Sequence, residues 1–347
     1  MDRHTLVTNS RLASCEIFVA RGALGQMESL LASFGHHDSV HLLHDEVLTA
    51  QAVELAALLG GAERLPIPGG ESVKRLSFVE SLAQQLLQTG ATRHSLLLVL
   101  GGGTLSDLGA FLASIYMRGI DCVLIPSTLL AMCDAAIGGK NGVDLQEFKN
   151  ILGVIRQPVG VVIDPDLVES LANDAIRDGL VEAVKKAMIL DEDSFEWFES
   201  EATLLGARAP SAIDEAIHRA VKMKVQVVMA DERESGQRLF LNFGHTVAHA
   251  IEKLTDFGYS HGRAVACGMP VELRMARAFG EDRLLRLFAS LGIDATFPQE
   301  ISAEDLWRAM QADKKKSGGK IRVAVPKCLG QGRVTEITLE DLQRVLS

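Results

Sequence analysis

Ser95-Leu96-Leu97-Leu98-Val99-Leu100 runs directly into Gly101-Gly102-Gly103, and a helical pattern begins at about Leu105. A short, continuous apolar run bounded by turn residues reads as a strand buried on both faces. The glycines permit a tight turn and a close backbone approach, and the helix behind them offers unpaired N–H donors at its N-terminus. Strand, glycine turn and helix together form the repeating unit of a parallel sheet covered by helices. The turn is not G-x-G-x-x-G, so the standard dinucleotide fingerprint is absent. Taken alone, these residues fit either a turn that needs positive φ or a phosphate loop. Asp107 fits either a helix-dipole partner or a ligand contact.

The same rhythm extends on both sides. Glu16 to Val19, Val40 to Leu43 and Cys122 to Ile125 read as further buried strands, while Leu48 to Leu59 and Val73 to Gln88 carry apolar residues at helical spacing. From about Leu167 the pattern becomes helical, over Ala175 to Ile189, Pro210 to Met229, Thr246 to Leu254, Ala264 to Phe279 and Glu281 to Leu291. Only Lys320 to Pro326 then reads as a strand, with a partner at Arg333 to Ile337. The expected architecture is an α/β domain over residues 1–166 with a mostly parallel sheet, followed by a mainly α-helical domain over 167–347. Ligands on such sheets gather at the carboxyl ends of the strands, and the cleft between the halves is the expected site.

A length of 347 residues suits two domains, and 47% hydrophobic with 23% charged residues suits a globular chain. The formal net charge of −10 argues against nucleic-acid binding, so an anionic substrate would need cations gathered locally. Five scattered cysteines with no CxxC pair fit reduced thiols better than a disulfide framework. Met1 to Thr5 lacks the apolar stretch of a signal peptide, and no apolar run approaches the roughly 18 residues that span a bilayer. A cytoplasmic protein without membrane partners is expected.

Three of the ten histidines crowd into Leu241-Asn242-Phe243-Gly244-His245-Thr246-Val247-Ala248-His249 and the nearby Ser260-His261-Gly262. His245 and His249, four apart, share a helix face. They fit a metal pair or the lining of an ordinary amphipathic helix, since HxxxH lacks the glutamate of the zinc-protease pattern. Glu182 and Lys185 fit a plain i,i+3 ion pair, or Glu182 a third, carboxylate ligand that leaves one coordination position open. Lys140 on its glycine pair, Lys149-Asn150 and Arg118 read as loop cations suited to an anion. Lys224 and Arg238 add two more, and an arginine can grip a carboxylate or phosphate through parallel hydrogen bonds. Pro68 to Lys74 is a second glycine turn, in which Glu71 and Lys74 could simply pair.

In order, these pieces resemble the sugar phosphate cyclase family, and within it the 3-dehydroquinate synthase branch. The resemblance rests on Pro68 to Lys74, Gly101 to Asp107, Tyr116 to Gly119, Pro126 to Ala131, Asp134 to Val143 and Lys149 to Asp164. It continues through Gly179 to Lys185, Lys224 to Glu252, His261 to Met269 and Asp313 to Lys315, covering nearly the whole chain. It implies a dehydroquinate synthase-like fold, NAD and one divalent metal (zinc or cobalt), and a homodimer. The implied substrate is a small anionic sugar-phosphate acid, 3-deoxy-D-arabino-heptulosonate 7-phosphate. The implied reaction gives 3-dehydroquinate and phosphate through transient oxidation by NAD, phosphate elimination, re-reduction and aldol closure.

The resemblance further implies that Glu182, His245 and His261 hold the metal, and it separates the two histidines of the HxxxH by turning His249 to the substrate phosphate. Lys140, Asn150, Asn242 and Lys314 would join His249 there, with Arg118 reaching in from a neighbouring subunit. Lys224 and Arg238 would clamp the carboxylate and Lys185 would contact a ring hydroxyl, making Lys185, His249, Lys140 and Asn242 the catalytic set. Asp45, Glu71, Lys74, Gly102, Gly103, Asp107, Ser127, Thr128, Asp134, Lys149 and Ser170 would line NAD. Departures from the family pattern are Ser127 and Asn141 in place of threonine, Ser170-Leu171-Ala172 in place of Thr-Leu-Pro, and Lys186-Ala187 in place of an aromatic-glycine pair. None removes an implied metal ligand, so an active enzyme is expected. The alternatives are a cyclase for sedoheptulose 7-phosphate or glucose 6-phosphate (the 2-epi-5-epi-valiolone or 2-deoxy-scyllo-inosose synthase type), which retention of Lys224 and Arg238 disfavours, and a metal-dependent polyol dehydrogenase.

Overall fold

The computed structural model describes residues 1–7, 14–146, 148–313 and 320–346. The chain separates into two compact units, Met1–Leu171 and Ala172–Ser347.

The first unit is built on a seven-stranded sheet. Along the chain come β1 (Asp2–Val7), β2 (Ser14–Val19), the short α1 (Met27–Leu31), β3 (Val40–Asp45), α2 (Thr49–Leu58), β4 (Glu63–Ile67) and α3 (Leu76–Gln88). They are followed by β5 (Leu96–Gly101), α4 (Gly103–Ile115), β6 (Asp121–Pro126), a hairpin of β7 (Lys140–Leu145) and β8 (Phe148–Ile155), and β9 (Gly160–Ile163). The sheet order is β1-β2-β9-β6-β5-β3-β4, parallel throughout except for the edge pair β1–β2. The strands expected around residues 16–19, 40–43, 95–100 and 122–125 all lie in it.

β5 is an interior strand between β6 and β3, and all six of its residues are buried, which is why it reads as an unbroken apolar run rather than an alternation. From β3 the chain runs outward to β4, then returns to β5 and proceeds the other way to β6. The direction of winding therefore reverses between β3 and β5, and the carboxyl ends of those strands, at Asp45 and Gly101, flank the switch point where ligands of such sheets collect.

One expectation fails here. The sequence places Lys140 and Lys149-Asn150 in loops, but Lys140 opens β7, and Lys149 and Asn150 stand in β8. Gly142 and Gly153 face one another across this hairpin so closely that a Cβ on Gly142 would lie 2.9 Å from the Leu152 carbonyl. Those glycines serve strand pairing, not a turn.

The second unit is mainly helical. It comprises α5 (Asn173–Leu190), α6 (Glu192–Ser200), α7 (Ala202–Gly206), α8 (Pro210–Ala230), α9 (His245–Leu254), α10 (His261–Met275), α11 (Glu281–Ser290) and α12 (Ala303–Asp313). The antiparallel pair β10 (Ile321–Cys328) and β11 (Gln331–Ile337) follows, then α13 (Leu339–Leu346). α5 buries twelve of its residues, including Leu180, Val184 and Met188, and α8 opens on Pro210, whose missing N–H costs nothing in a first turn. The expected helix over 264–279 is displaced. Ser260 caps α10 through the Arg263 N–H, so the helix begins at His261, and it stops at Met275 before Arg277 turns left-handed at φ 47°. Among the described residues no helix is long and apolar enough to cross a membrane.

Candidate metal and cofactor site

Around the Gly101–Gly103 turn the N-terminal unit assembles most of its expected cofactor residues. Gly102 is the N-cap of α4 and has no side chain to cap with, so the first N–H groups of the helix are left for other acceptors. A Cβ on Gly102 would approach Thr128 to 3.3 Å and one on Gly103 would approach Ala135 to 3.1 Å, so side chains there would narrow the approach to the helix. Lys74 Nζ donates to Asp107 at 2.6 Å, Thr104 Oγ1 donates to Glu71 at 2.7 Å, and Lys149 Nζ lies 3.8 Å from Glu71. Lys74 is buried, which disfavours its charge, but Asp107 and Glu71 outweigh the burial and hold its pKa above the ordinary lysine value.

Asp45 caps a 3-10 turn through the Val47 N–H, and its carboxylate lies so near Gly69 that a Cβ at that position would collide with it. Ser127 N–H bonds the Gly101 carbonyl at 2.9 Å, and the Thr128 hydroxyl accepts from Ala131 N–H at 3.2 Å. Asp134 lies in a one-turn π-helix, Ala131–Ala135, a distortion frequent at functional sites. Ser170 is the exception: it is exposed, and among the described residues no hydrogen bond or ion pair joins it to this cluster. Arg118 occupies a left-handed turn with Met117 and Gly119 (φ 48°, 71° and 116° for Met117 to Gly119), and Asn150 is also left-handed at φ 55°. Lys140 is exposed at the start of β7.

In the C-terminal unit, residues distant in sequence meet. Glu182 on α5, His245 at the first position of α9 and His261 at the first position of α10 bring one ligand atom each within 4.8 Å of one another. His245 Nε2 and His261 Nε2 stand 3.7 and 3.8 Å from Glu182 Oε1. Glu182 is 1% exposed and its Oε1 has no hydrogen-bond partner, whereas Oε2 accepts from Lys185 Nζ at 2.6 Å and lies 3.9 Å from Lys186 Nζ. A buried carboxylate oxygen without a donor is costly unless a cation completes it.

Both histidine rings are oriented from behind. Nδ1 of His261 faces Glu252 at 3.0 Å, and Nδ1 of His245 faces the Phe243 carbonyl at 3.2 Å. Each acceptor places the imidazole proton on Nδ1 and leaves the Nε2 lone pair toward Glu182, the usual outer support of a histidine ligand. Burial, then the nearby Lys185 charge and the other two histidines, lowers the His245 pKa well below its ordinary value, so this ring is neutral. Burial acts the same way on His261, but Glu252 and Glu182 outweigh it and raise that pKa. His249 lies outside the ligand group, its ring 5.5 Å from His245 and 6.4 Å from His261.

The other expected anion-binding groups are held nearby in the chain. Lys224 is buried on α8. Arg238 is 2% exposed and donates to the Glu232 carbonyl at 2.5 Å, and Asn242 donates to Glu234 at 2.6 Å. Lys314 lies outside the described residues. Sequence reasoning passed over Glu252, although it sits two turns from His245 on one helix face and is 2% exposed; an acid at that spacing in an apolar helix was the available signal. Asp231, which gathers the N–H groups of Ser235, Gly236 and Arg238, was also missed.

The family model described as 3-dehydroquinate synthase N-terminal matches residues 64–178, and the one described as 3-dehydroquinate synthase C-terminal matches 179–316. The chain is 41% identical to the 3-dehydroquinate synthase of Solibacter usitatus over 93% of both chains. Among solved structures it resembles 2-deoxy-scyllo-inosose synthase complexed with carbaglucose-6-phosphate, NAD+ and Co2+ (TM-score 0.90, 22% identity, 99% of each chain). It also resembles the 2-epi-5-epi-valiolone synthase of Streptomyces hygroscopicus subsp. jinggangensis with NAD+ and Zn2+ bound (TM-score 0.86, 26% identity, 98% of each chain). With both halves matched in order and sequence identity sustained across almost the full length, the chain belongs to the 3-dehydroquinate synthase family.

Proposed function

We propose that the protein is a 3-dehydroquinate synthase, a phosphate-eliminating carbon–oxygen lyase that closes 3-deoxy-D-arabino-heptulosonate 7-phosphate to 3-dehydroquinate. The observation that carries this reading is the 41% identity over 93% of both chains to the Solibacter usitatus enzyme. Retention of Lys224 and Arg238, the two cations assigned to the substrate carboxylate, supports an acid substrate over a neutral sugar phosphate.

The residues present fit a divalent metal. Two imidazole nitrogens and one partner-free buried carboxylate oxygen converge, and three protein ligands leave a position open for substrate. The donor set of nitrogen and oxygen suits zinc or cobalt. The N-terminal unit fits NAD, through the side-chain-free approach to the α4 N-terminus at the β3/β5 switch point. When bound, the metal supplies Lewis acidity at a substrate hydroxyl and NAD supplies a reversible hydride acceptor.

The protein's own groups do the rest. Lys185 Nζ, held against Glu182 Oε2, is placed to donate to a ring hydroxyl. Arg238, whose Nη1 bonds the Glu232 carbonyl, and Lys224 are the cations assigned to the carboxylate. His249 and Asn242 bind the phosphate, and His249 gives a proton to the oxygen that leaves with it. Lys140, Asn150 and Arg118 keep the phosphate role that family membership suggests, and Asp45, Glu71, Lys74, Asp107 and their neighbours keep NAD.

A homodimer is part of the reading. Leu145, Phe148, Ile151 and Ile155 are each more than 40% exposed on one hairpin, an apolar patch that a second copy would cover. A cytoplasmic location is supported by five free cysteines.

The test is phosphate release from the heptulosonate with NAD and zinc or cobalt, while NADH absorbance is followed. Phosphate release without net NADH is expected. NADH accumulating in step with product would identify a dehydrogenase, and faster turnover of sedoheptulose 7-phosphate or glucose 6-phosphate would identify another cyclase.

A further inference from the structure

α10 carries one acid, and the proposed chemistry does not use it. Glu272 lies three helical turns beyond His261, on the same face of the helix, and is 0% exposed. Its carboxylate does not stay on α10. Oε2 accepts from Gly244 N–H at 2.8 Å and Oε1 accepts from Val247 N–H at 3.2 Å. These are the N-cap and third-position amides of α9, the helix whose first residue is His245.

Gly244 explains why an outside acceptor is needed. A helix normally satisfies its first amides with the side chain of its own N-cap, but Gly244 has none and adopts φ 81°. No larger residue fits. A Cβ on Gly244 would lie 2.6 Å from Met269 Cγ and 3.2 Å from the Val265 carbonyl, and one on Gly268 would collide with the Gly244 carbonyl. The two helices thus touch backbone to backbone where α9 begins, and Glu272 supplies from α10 the cap that α9 cannot supply itself.

We propose that Glu272 is a positioning residue for the metal-ligand pair. By capping α9 from α10, it sets His245 relative to His261, which opens the helix that Glu272 belongs to. This rests on the metal reading given above. Both carboxylate oxygens act as acceptors in this cap. Glutamine has the same shape but turns an NH2 donor toward one of the two amides, leaving that N–H unpaired and pushing the start of α9 away.

The test compares wild type, Glu272→Gln and Leu205→Ala. Leu205 is a buried residue of α7 that serves as a control for general destabilisation. Zinc dissociation constants are measured by chelator competition, visible spectra are taken of the Co2+-loaded proteins, and thermal unfolding is followed without metal. Glu272→Gln is expected to bind zinc about 10–100-fold more weakly, the usual effect of losing support behind a ligand, and to shift the cobalt bands. Leu205→Ala should lower the unfolding temperature and keep wild-type zinc affinity and spectrum. Wild-type affinity and spectrum in Glu272→Gln would overturn the proposal, as would an equal loss of affinity in Leu205→Ala. Wild type failing to bind zinc or cobalt would instead overturn the metal reading, and this inference with it. Should Glu272→Gln not fold, Glu272→Asp, which keeps the charge but is one methylene short, carries the same comparison with the same overturning result.

Discussion

His261 turns Nδ1 to Glu252, 3.0 Å away, and this contact leaves Nε2 pointing at Glu182. Under the proposed metal reading, Glu252 therefore supports a ligand rather than meeting the substrate. Glu252→Leu is expected to weaken zinc binding about 10–100-fold, measured by chelator competition. Glu252→Gln should do less harm, because an amide oxygen still accepts from Nδ1. Equal affinities for Glu252→Leu and wild type would show that His261 needs no support from behind.

His245 and His249 lie one turn apart on α9, and only His245 joins the ligand group. His249→Ala should keep stoichiometric metal and lose about 10²–10⁴-fold in kcat, the range for removing a proton-transfer group. His245→Ala should lose the metal as well. Metal analysis of the purified variants separates the two, and a His249→Ala protein that emerges without metal would make His249 a ligand.

Asp231 organises the segment that carries Arg238. Burial pushes its carboxyl pKa up, but backbone N–H bonds from Ser235, Gly236 and Arg238 outweigh burial and hold it below the ordinary aspartate value. Its folded pKa is depressed, so the stabilisation is complete above the unfolded value of about 3.9 and is lost as pH falls through the folded one. Order in residues 231–238 should thus be flat from pH 5 to 8 by amide exchange corrected for its intrinsic pH dependence, with loss only in acid. Asp231→Ala should raise KM by up to about tenfold, the worth of one hydrogen bond, with a smaller change in kcat. A kcat effect larger than the KM effect would place Asp231 in the chemistry.

Four of the five cysteines are buried, and only Cys328 is exposed. Burial pushes the Cys122 and Cys267 thiols up to about 12, so neither forms thiolate near neutrality. A disulfide reagent at pH 8 should modify one thiol per native chain and five after denaturation. A second rapid native thiol would mean that one of the buried sites opens.

Much of this fold is legible in the chain. The unbroken apolar run at 95–100 identifies an interior parallel strand, because burial on both faces removes the need for alternation, and the glycines after it mark the turn into α4. The hairpin at 140–155 is not legible in that way. Its larger apolar residues, Phe148, Ile151 and Ile155, are exposed and line no core of their own chain, while Lys140, Lys149 and Asn150 read as loop residues although they sit in strands.

The site divides along the same line. Residue types and motif order point to metal, phosphate and NAD, since each motif is short and its chemistry belongs to its own side chains. Which atoms meet is another matter. Glu182, His245 and His261 stand on three helices, and the choice of His261 over His249 beside His245 depends on how α9 lies against α10. Glu272, Gly244 and Gly268 fix that contact through bonds between residues more than twenty positions apart. Periodicity and propensity act over a few residues, whereas a ligand set is assembled by packing between elements that no local pattern relates.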